Sequence, residues 1–479
     1  MLRKRKYYSL FFLLMIGCHF LMAQSTVTGE IKDTAIVPSA NSPVIVGKIE
    51  ITGNKKTKES IILREIPFKS GQTYSLKELV EKFETARRQL MNTTLFNSVI
   101  VAAKNIEGNK IDVSVEVKER WYLFPVPVFK PIDRNLNQWL VEQNASLDRV
   151  NYGIKLYYNN VSGKNDKLKL GLINGYTKQL SLSYDRLYID ARLKWGFKFS
   201  FAAGKNREIN YNTINDKQVF LKDENNYVRN FTNANAELTY RKAIKTRHSF
   251  GISYAAEGIK DTIVSLNPSY FKSGRNSISF PGIYYNMTYY DLDYIPYPTK
   301  GYAAQVSISK NGFNNIIDLW QLHVKGSGTW PLSAKTFLNL NVYGGIKLPF
   351  KQPYFNQRFL GYGDVFMQGF EYFVIDGVAG GYLKTTVTRE LLNFAIKTPA
   401  GKKGREAQRI PFRIFGKVFG NSGYVHAQQP GQNSLSNKML YSGGFGIDIL
   451  TFYDVTFKLE YSFNSLGQNG LFLHRKTIF

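Results

Sequence analysis

The chain has 479 residues, a formal charge of +27 and 15% aromatic side chains, among them 34 Phe and 31 Tyr. A soluble protein of this length implies two to four domains, but ordinary cores do not consume so many aromatics. A single cysteine, Cys18, excludes a disulfide framework, and no stretch beyond the first 23 residues approaches the roughly 20 apolar residues of a membrane helix, so a membrane-embedded chain has to cross with strands.

At the start, Arg3-Lys4-Arg5-Lys6 is a positive n-region, Tyr8 to Leu21 an apolar core, and Leu21-Met22-Ala23 a small-residue cleavage site. Residues 1–23 therefore read as a secretory signal peptide. Leu14-Met15-Ile16-Gly17-Cys18 is similar to a lipoprotein processing site, but Met15 and the apolar residues after Cys18 argue against that alternative. Without the four basic leader residues the charge is +23. This excess serves either solubility or contact with anionic lipid headgroups. No basic run is interleaved with stacking aromatics, so nucleic acid is not an expected partner. Residues 24–43, rich in Ser, Thr, Pro, Asn and Ala, read as a flexible segment.

From Val44 the pattern changes. Val46 to Ile51 is a short strand followed by Gly53-Asn54, and Thr57 to Glu65 a short helix. Ser75-Leu76-Lys77-Glu78 is a capping box opening an amphipathic helix with Leu76, Leu79, Val80, Phe83, Leu90 and Met91 on its apolar face. Leu95 to Val101 and Ile111 to Val117 are strands, the second alternating Ile111, Val113, Val115 and Val117 against Asp112, Ser114, Glu116 and Lys118. The resulting β-α-α-β-β unit, 44–119, is large enough for one small core. Its order, Ile49-Glu50-Ile51-x-Gly53-Asn54 and Leu95-Phe96 resemble a POTRA domain. Glu119-Arg120-Trp121 is too short a link for free tumbling.

From residue 120 to 479 the periodicity is two. Val455-Phe457-Leu459-Tyr461-Phe463 alternates with Thr456-Lys458-Glu460-Ser462, and Leu193-Trp195-Phe197-Phe199-Phe201 with Lys194-Gly196-Lys198-Ser200. A soluble sandwich would have shorter strands and a compact core. An apolar-out, polar-in barrel explains the pattern and places the surplus Tyr and Phe in interfacial girdles. Sixteen segments are expected, near Trp121, Val150, Leu168, Leu180, Leu193, Ala234, Phe250, Ile283, Ala304, Leu319, Leu338, Leu383, Ile414, Phe445, Phe457 and Leu473. The last ends in an aromatic, Phe479.

Between the eleventh and twelfth segments, residues 349–380 interrupt the strands. Glycines 361, 363, 369, 377, 380 and 381 are scattered there among aromatics around Met367-Gln368-Gly369-Phe370, which suits a loop packed inside something. With one POTRA unit, sixteen strands, this loop and Asp291 to Gly301 (DLDYIPYPTKG), the chain from Val44 onward is similar to the BamA/TamA superfamily of outer-membrane insertion and translocation barrels. The resemblance implies a membrane all-β fold, a sixteen-stranded transmembrane barrel with one periplasmic POTRA domain, in the outer membrane of a Gram-negative bacterium. It also implies unfolded client proteins and accessory lipoproteins as partners.

In that family the loop tip reads Val-Arg-Gly-Phe/Tyr and its Arg pairs with acids on the inner wall of the next two strands. Here Gln368 replaces the Arg. Glu390, on one face with Lys384, Thr386 and Thr388, matches the first wall acid. Phe419-Gly420-Asn421-Ser422-Gly423-Tyr424-Val425 places Asn421 where the second acid would be, facing inward with Arg413 and Lys417. The two departures fall on one expected contact. The resemblance thus implies either a neutral Gln368–Asn421 pair that keeps the loop docked, with Glu390 also turned to Gln368, or a loop that no longer docks. The first and last barrel strands, with Tyr122, Val126, Leu473 and Phe479, form the implied seam for lateral opening, and a client strand adds to an edge of the POTRA sheet.

Other classes fit less well. A passive channel or lipid-handling barrel has the polar lumen but no use for the β-α-α-β-β unit or the aromatic loop. A barrel enzyme needs a nucleophile and base, whereas His248, His323, His426 and His474 lie on strands or strand ends without metal-ligand spacing. No catalysis, metal or cofactor is expected.

Overall fold

Backbone pairing divides the chain into two sheets of very different size. The computed structural model describes residues 41–479 apart from 132–143, 148–149, 191, 398–408, 452–453 and 475–479. The expected signal peptide with Cys18, most of the 24–43 segment and Phe479 lie outside the described residues.

The first sheet contains β1 (Pro43–Thr52), β2 (Thr73–Ser75), β3 (Phe96–Glu107) and β4 (Lys110–Glu119), in the order β2-β1-β4-β3. Helices α1 (Glu59–Glu65) and α2 (Leu76–Asn92) cover one face. Glu78 N donates to Ser75 Oγ at 3.2 Å, so the expected cap forms, and Leu79, Ala86 and Leu90 are buried. Val80, expected on the apolar face, is exposed. Leu95, Phe96, Ile111, Val113, Val115 and Val117 fill the core, against which Ile49 and Ile51 pack. A Cβ on Gly53, at φ +83°, would lie 1.9 Å from the Val117 carbonyl, so the turn after β1 requires glycine. Asn54 Nδ2 donates to the Thr57 carbonyl at 3.1 Å and closes that turn.

The second sheet holds sixteen strands, each antiparallel to its neighbours. They begin with β5 (Leu123–Pro131), β6 (Val150–Asn159), β7 (Lys167–Gly175), β8 (Thr177–Arg186) and β9 (Trp195–Asn206). A separate hairpin, β10 (Glu208–Ile214) and β11 (Lys217–Lys222), intervenes. The sheet resumes with β12 (Arg229–Tyr240), β13 (Thr246–Ile259), β14 (Ser277–Leu292), β15 (Gly301–Asn311), β16 (Leu319–Pro331) and β17 (Thr336–Leu348). Helix α3 (Asp261–Leu266) lies between β13 and β14. After β17 come helix α4 (Tyr354–Gln357) and the short pair β18 (Arg358–Leu360) and β19 (Ile375–Asp376). The sheet ends with β20 (Ala379–Lys397), β21 (Arg409–His426), β22 (Met439–Leu450), β23 (Thr456–Asn464) and β24 (Asn469–His474).

All sixteen expected segments are strands. Leu193, expected to open one of them, instead sits in a left-handed turn at φ 52° before β9. Hairpin β10–β11 was not expected; its signal is Asn215-Asp216, a two-residue turn with both φ positive.

The alternation sorts as a membrane barrel requires. Phe445, Phe457, Leu459, Leu471 and Leu473 are exposed on the outer face, while Lys417, Asp448, Glu460 and Ser462 are buried on the inner one. The sheet curls far enough for strands distant in order to meet. Tyr297, in the turn after β14, donates to Asp448 Oδ2 on β22 at 2.9 Å, and its ring stacks on Phe415 of β21 at 4.5 Å. Among the described residues no helix is long and apolar enough to cross a membrane.

The small domain sits against the turns at one rim of the large sheet. Arg64 donates to the carbonyls of Leu193 and Arg241, both at 3.2 Å, and Asn92 Nδ2 to that of Leu292 at 3.3 Å. Arg120 pairs with Asp454 at 2.6 Å. Glu65, 3% exposed, meets Arg241 Nη2 at 3.0 Å and accepts from the Tyr188 hydroxyl at 3.0 Å. Burial, and then the Glu65 carboxylate, push the Tyr188 phenol up to about 12.

Candidate lumen-loop site

The chain between β17 and β20 turns into the curl of the large sheet. Met367, Phe370, Phe359, Leu360, Phe373 and Ile375 from this segment form one buried cluster with Tyr343 of β17, Val425 of β21 and Leu440 of β22. Burying a large apolar side chain contributes about 1.5–3 kcal/mol, so this cluster is the main reason the segment stays inside. Its base is held from the distal rim. Thr213 Oγ1 lies 2.9 Å from the Tyr354 hydroxyl, and Val374 N donates to the Asp216 carbonyl at 2.9 Å, which gives the β10–β11 hairpin its use as a clasp.

At the tip, Gly369 has φ +87°, and a Cβ there would lie 2.9 Å from Ser442 Cβ and 3.0 Å from the Phe463 carbonyl. Only glycine fits. The tip is polar toward the last two strands. Gln368 Nε2 donates to Glu460 Oε1 at 3.0 Å, and Asn464 Nδ2 to the Gly369 carbonyl at 2.7 Å. Glu371 Oε2 accepts from Gly369 N at 2.8 Å, and its other oxygen lies 3.3 Å from His474 Nε2. Phe366 stacks on His474 at 5.0 Å and Tyr372 packs on Phe472 at 5.3 Å.

Two expected contacts are therefore corrected. Gln368 and Asn421 do not bond to each other: Asn421 Nδ2 donates to Ser442 Oγ at 3.1 Å, and Asn421 Oδ1 and Gln368 Oε1 are both buried without a partner. The reason is the direction of the Gln368 side chain. The tip backbone comes down beside Ser442, the register partner of Asn421, at Gly369, but Gln368 reaches along the wall to Glu460, level with Lys417 and four residues along β21 from Asn421. Glu390 is likewise not turned to Gln368; it pairs with Arg413.

The acid that meets the tip is Glu460 of β23, which sequence reasoning placed on the polar face but did not single out. Lys417 Nζ bridges Glu460 and Asp448, the latter at 2.5 Å, with all three side chains at 4% exposure or less. A buried cation between two carboxylates is stable only as a group, because removing it strands two charges. A cavity of about 580 Å3 lies beside this cluster, lined among others by Gln368, Lys384, Tyr382 and Asn341. Lys384 is held over the rings of Phe366 and Tyr382, at 4.4 and 4.6 Å.

Of the expected seam residues, Val126 on β5 and Leu473 on β24 lie on the two end strands of the sheet, both exposed. Tyr122 belongs instead to the junction with the small domain. Its hydroxyl donates to the Leu95 carbonyl at 3.2 Å and lies 3.1 Å from Thr57 Oγ1, and burial pushes its phenol up to about 12. The histidines serve local contacts. His248 and His323 lie 2.8 Å from the hydroxyls of Tyr285 and Tyr343, and His426 lies 3.0 Å from Asn437 Oδ1. Among the described residues no group of three His, Cys, Asp or Glu side chains could hold a metal ion.

Residues 160–461 match the family model of the Omp85 superfamily domain. The chain belongs to the Omp85 superfamily. Residues 44–120 match a second model, POTRA, described as a surface antigen variable number repeat. Over 75 residues, 16% of this chain, the protein is 31% identical to the outer membrane protein assembly factor BamA of Neorickettsia risticii (strain Illinois), and the match spans only 10% of that relative.

Among solved structures, BamA from Haemophilus ducreyi lacking POTRA domains 1–3 aligns with a TM-score of 0.50 at 14% identity, covering 90% of this chain and 83% of that one. CdiB from Escherichia coli aligns with a TM-score of 0.52 at 11% identity, covering 91% and 75%. The Omp85 fold here is thus one POTRA domain and a sixteen-stranded transmembrane barrel.

Proposed function

We propose that this Omp85 protein inserts unfolded client proteins into the outer membrane of a Gram-negative bacterium, or translocates them across it, with its POTRA domain in the periplasm. The observation that carries this reading is the anchoring of the lumen loop. Its tip grips β23 and β24, next to the end of the sheet, through Gln368–Glu460, Asn464–Gly369 and Glu371–His474. A passive channel would gain nothing from filling its interior with an apolar cluster. A barrel that opens at the seam needs an internal support for the strand beside it.

The chemistry on this reading is non-covalent. An extended client pairs its backbone with an open edge of the POTRA sheet, whose two edges are the three-residue β2 and the twelve-residue β3. It then meets the barrel rim against which the domain is docked, and leaves between β5 and β24. The excess of Lys and Arg suits anionic headgroups around the rims, and accessory lipoproteins have the outer face of the POTRA domain to bind. No nucleophile, metal or cofactor takes part.

Depleting the protein and surveying the outer-membrane proteome tests the reading. Selective loss of barrel proteins or surface lipoproteins is expected. Unchanged membrane proteins with altered solute uptake would replace it with the passive channel.

A further inference from the structure

One pair of strands outruns the rest of the barrel sheet. β20 has 19 residues and β21 has 18, whereas their neighbours β17 and β22 have 13 and 12. The register of β17 with β20 ends at Thr336↔Arg389 and that of β21 with β22 at Arg413↔Leu450, but β20 and β21 go on pairing to Lys397↔Arg409. At ordinary rise and tilt a strand as long as β20 spans roughly 45 Å along the barrel axis, against an apolar band about 25 Å tall. A two-stranded ribbon therefore leaves the rim. It does so on the side of the small domain, since the turn after β22 carries Asp454, the partner of Arg120.

The ribbon keeps the two faces of the wall from which it grows. On β21 the even-numbered residues share the outer face of the barrel with the exposed Val418. With their partners they form the ladder Ile414↔Leu392, Phe412↔Phe394 and Ile410↔Ile396, which has no charge in it, and the two Phe rings stack at 5.6 Å. On the other face Asn393 lies opposite Arg413, which turns inward to Glu390. Leu392, Phe394 and Ile396 are 55%, 44% and 52% exposed. A two-stranded ribbon is marginal in water on its own, so this apolar column needs cover.

Lipid is the cover that the geometry fits, because the column continues a surface that already faces lipid. An extra residue in β20, Leu391, makes a bulge between Glu390 and Leu392, the device by which a strand pair bends. Leu391 itself lies over Gly416 on the outer face, 3.2 Å from where a Cβ would stand. A ribbon that descends from the rim and bends away from the barrel axis turns its outer face up against the leaflet it has just left. Cations bracket the ladder: the exposed Arg389, on the outer face where β17 stops, and the closing pair Lys397↔Arg409. A ribbon apolar in the middle and basic at its ends matches anionic phospholipid. We propose that it is an interfacial anchor, lying under the periplasmic leaflet with Leu392, Phe394 and Ile396 among the acyl chains. This rests on the reading that the POTRA rim is the periplasmic one, but on no client.

The test uses the full chain with Cys18→Ser in vesicles of phosphatidylethanolamine and phosphatidylglycerol, checked for heat-modifiable mobility. A nitrobenzoxadiazole label is placed on one cysteine at a time, from Leu392→Cys, Asn393→Cys, Phe394→Cys, Ala395→Cys or Ile396→Cys, with Val418→Cys as the wall reference. Spin-labelled lipid is expected to quench positions 392, 394, 396 and 418 several-fold more than 393 and 395, which aqueous iodide should reach instead. Arg389→Gln should lower the ratio of lipid-contacting to free ribbon about fivefold, the worth of one cation near an anionic surface; an unmoved ratio removes the headgroup assignment. Iodide reaching all five ribbon positions overturns the anchor. So do labels shielded from iodide yet not quenched by lipid, which would mean cover by a second copy of the chain. A label at 418 that lipid does not quench removes the transmembrane barrel and the anchor with it. Client insertion is not read, so failure of the anchor and failure of the proposed function are separate results.

Discussion

Replacing Gln368 by arginine should strengthen the loop's docking, although it places a cation beside Lys417. Gln368 donates to Glu460 Oε1 at 3.0 Å, and the Glu460 side chain is 2% exposed, so water cannot substitute for a protein donor. The contact leaves two buried acceptors unpaired, Gln368 Oε1 and Glu460 Oε2. His474 Nε2 lies 3.3 Å from the latter, without hydrogen-bond geometry. Each such orphan costs about 1–3 kcal/mol. Gln368→Arg removes the first and presents a forked donor to both oxygens of Glu460, and the adjacent cavity of about 580 Å3 has room for the longer side chain.

The charges agree with this direction. Lys417 bridges two carboxylates, Asp448 and Glu460, with Lys458 beside them in the same cavity, and Arg413 is already committed to Glu390. Lys384 and Lys458 line the same cavity and oppose the gain, but neither forms an ion pair with Glu460. The net expectation is a stabilisation of about 1–3 kcal/mol. Denaturant titration in micelles of the wild type, Gln368→Arg, Glu460→Gln and the double variant should give a favourable interaction term of about 1–3 kcal/mol, whereas Gln368→Arg with Asn421→Asp should be additive within about 0.5 kcal/mol. A destabilised Gln368→Arg, or coupling to Asn421 rather than Glu460, would refute the reasoning.

Gly369→Ala should lower the denaturation midpoint, since a left-handed backbone with a Cβ costs about 1–2 kcal/mol before the contact with Ser442 is counted. Arg241→Met should leave Glu65 buried with Tyr188 alone and weaken the domain–barrel junction by about 3–5 kcal/mol, seen as faster hydrogen exchange in α1; unchanged exchange would show that the domain is held elsewhere. Cysteines replacing Val126 and Leu473 should cross-link on oxidation and abolish client insertion until reductant is added, and full activity when locked would rule out lateral opening. Envelope fractionation should place the chain with outer-membrane barrels, running faster unboiled than boiled.

Periodicity alone carried the large architecture. Period two over more than three hundred residues, with Lys458, Glu460 and Ser462 opposite Phe457, Leu459 and Tyr461, has one economical solution in a membrane, because each strand needs a partner and the outer face must be apolar. The small domain was equally legible: Ser75 caps α2, Gly53 occupies a turn that rejects a Cβ, and Ile111 to Val117 alternate into the core. The three-residue β2 left no pattern to read.

Sequence also marked the loop, through glycines among aromatics, but not what its tip would touch. Which inward side chain lies opposite Gln368 depends on barrel shear and on how deep the loop descends, and neither leaves a local signature. A four-residue difference along β21 separates Asn421 from the level at which Gln368 meets Glu460. Likewise Glu65, Tyr188 and Arg241, between 53 and 176 residues apart in the chain, become one buried cluster only when the POTRA domain meets the barrel turns.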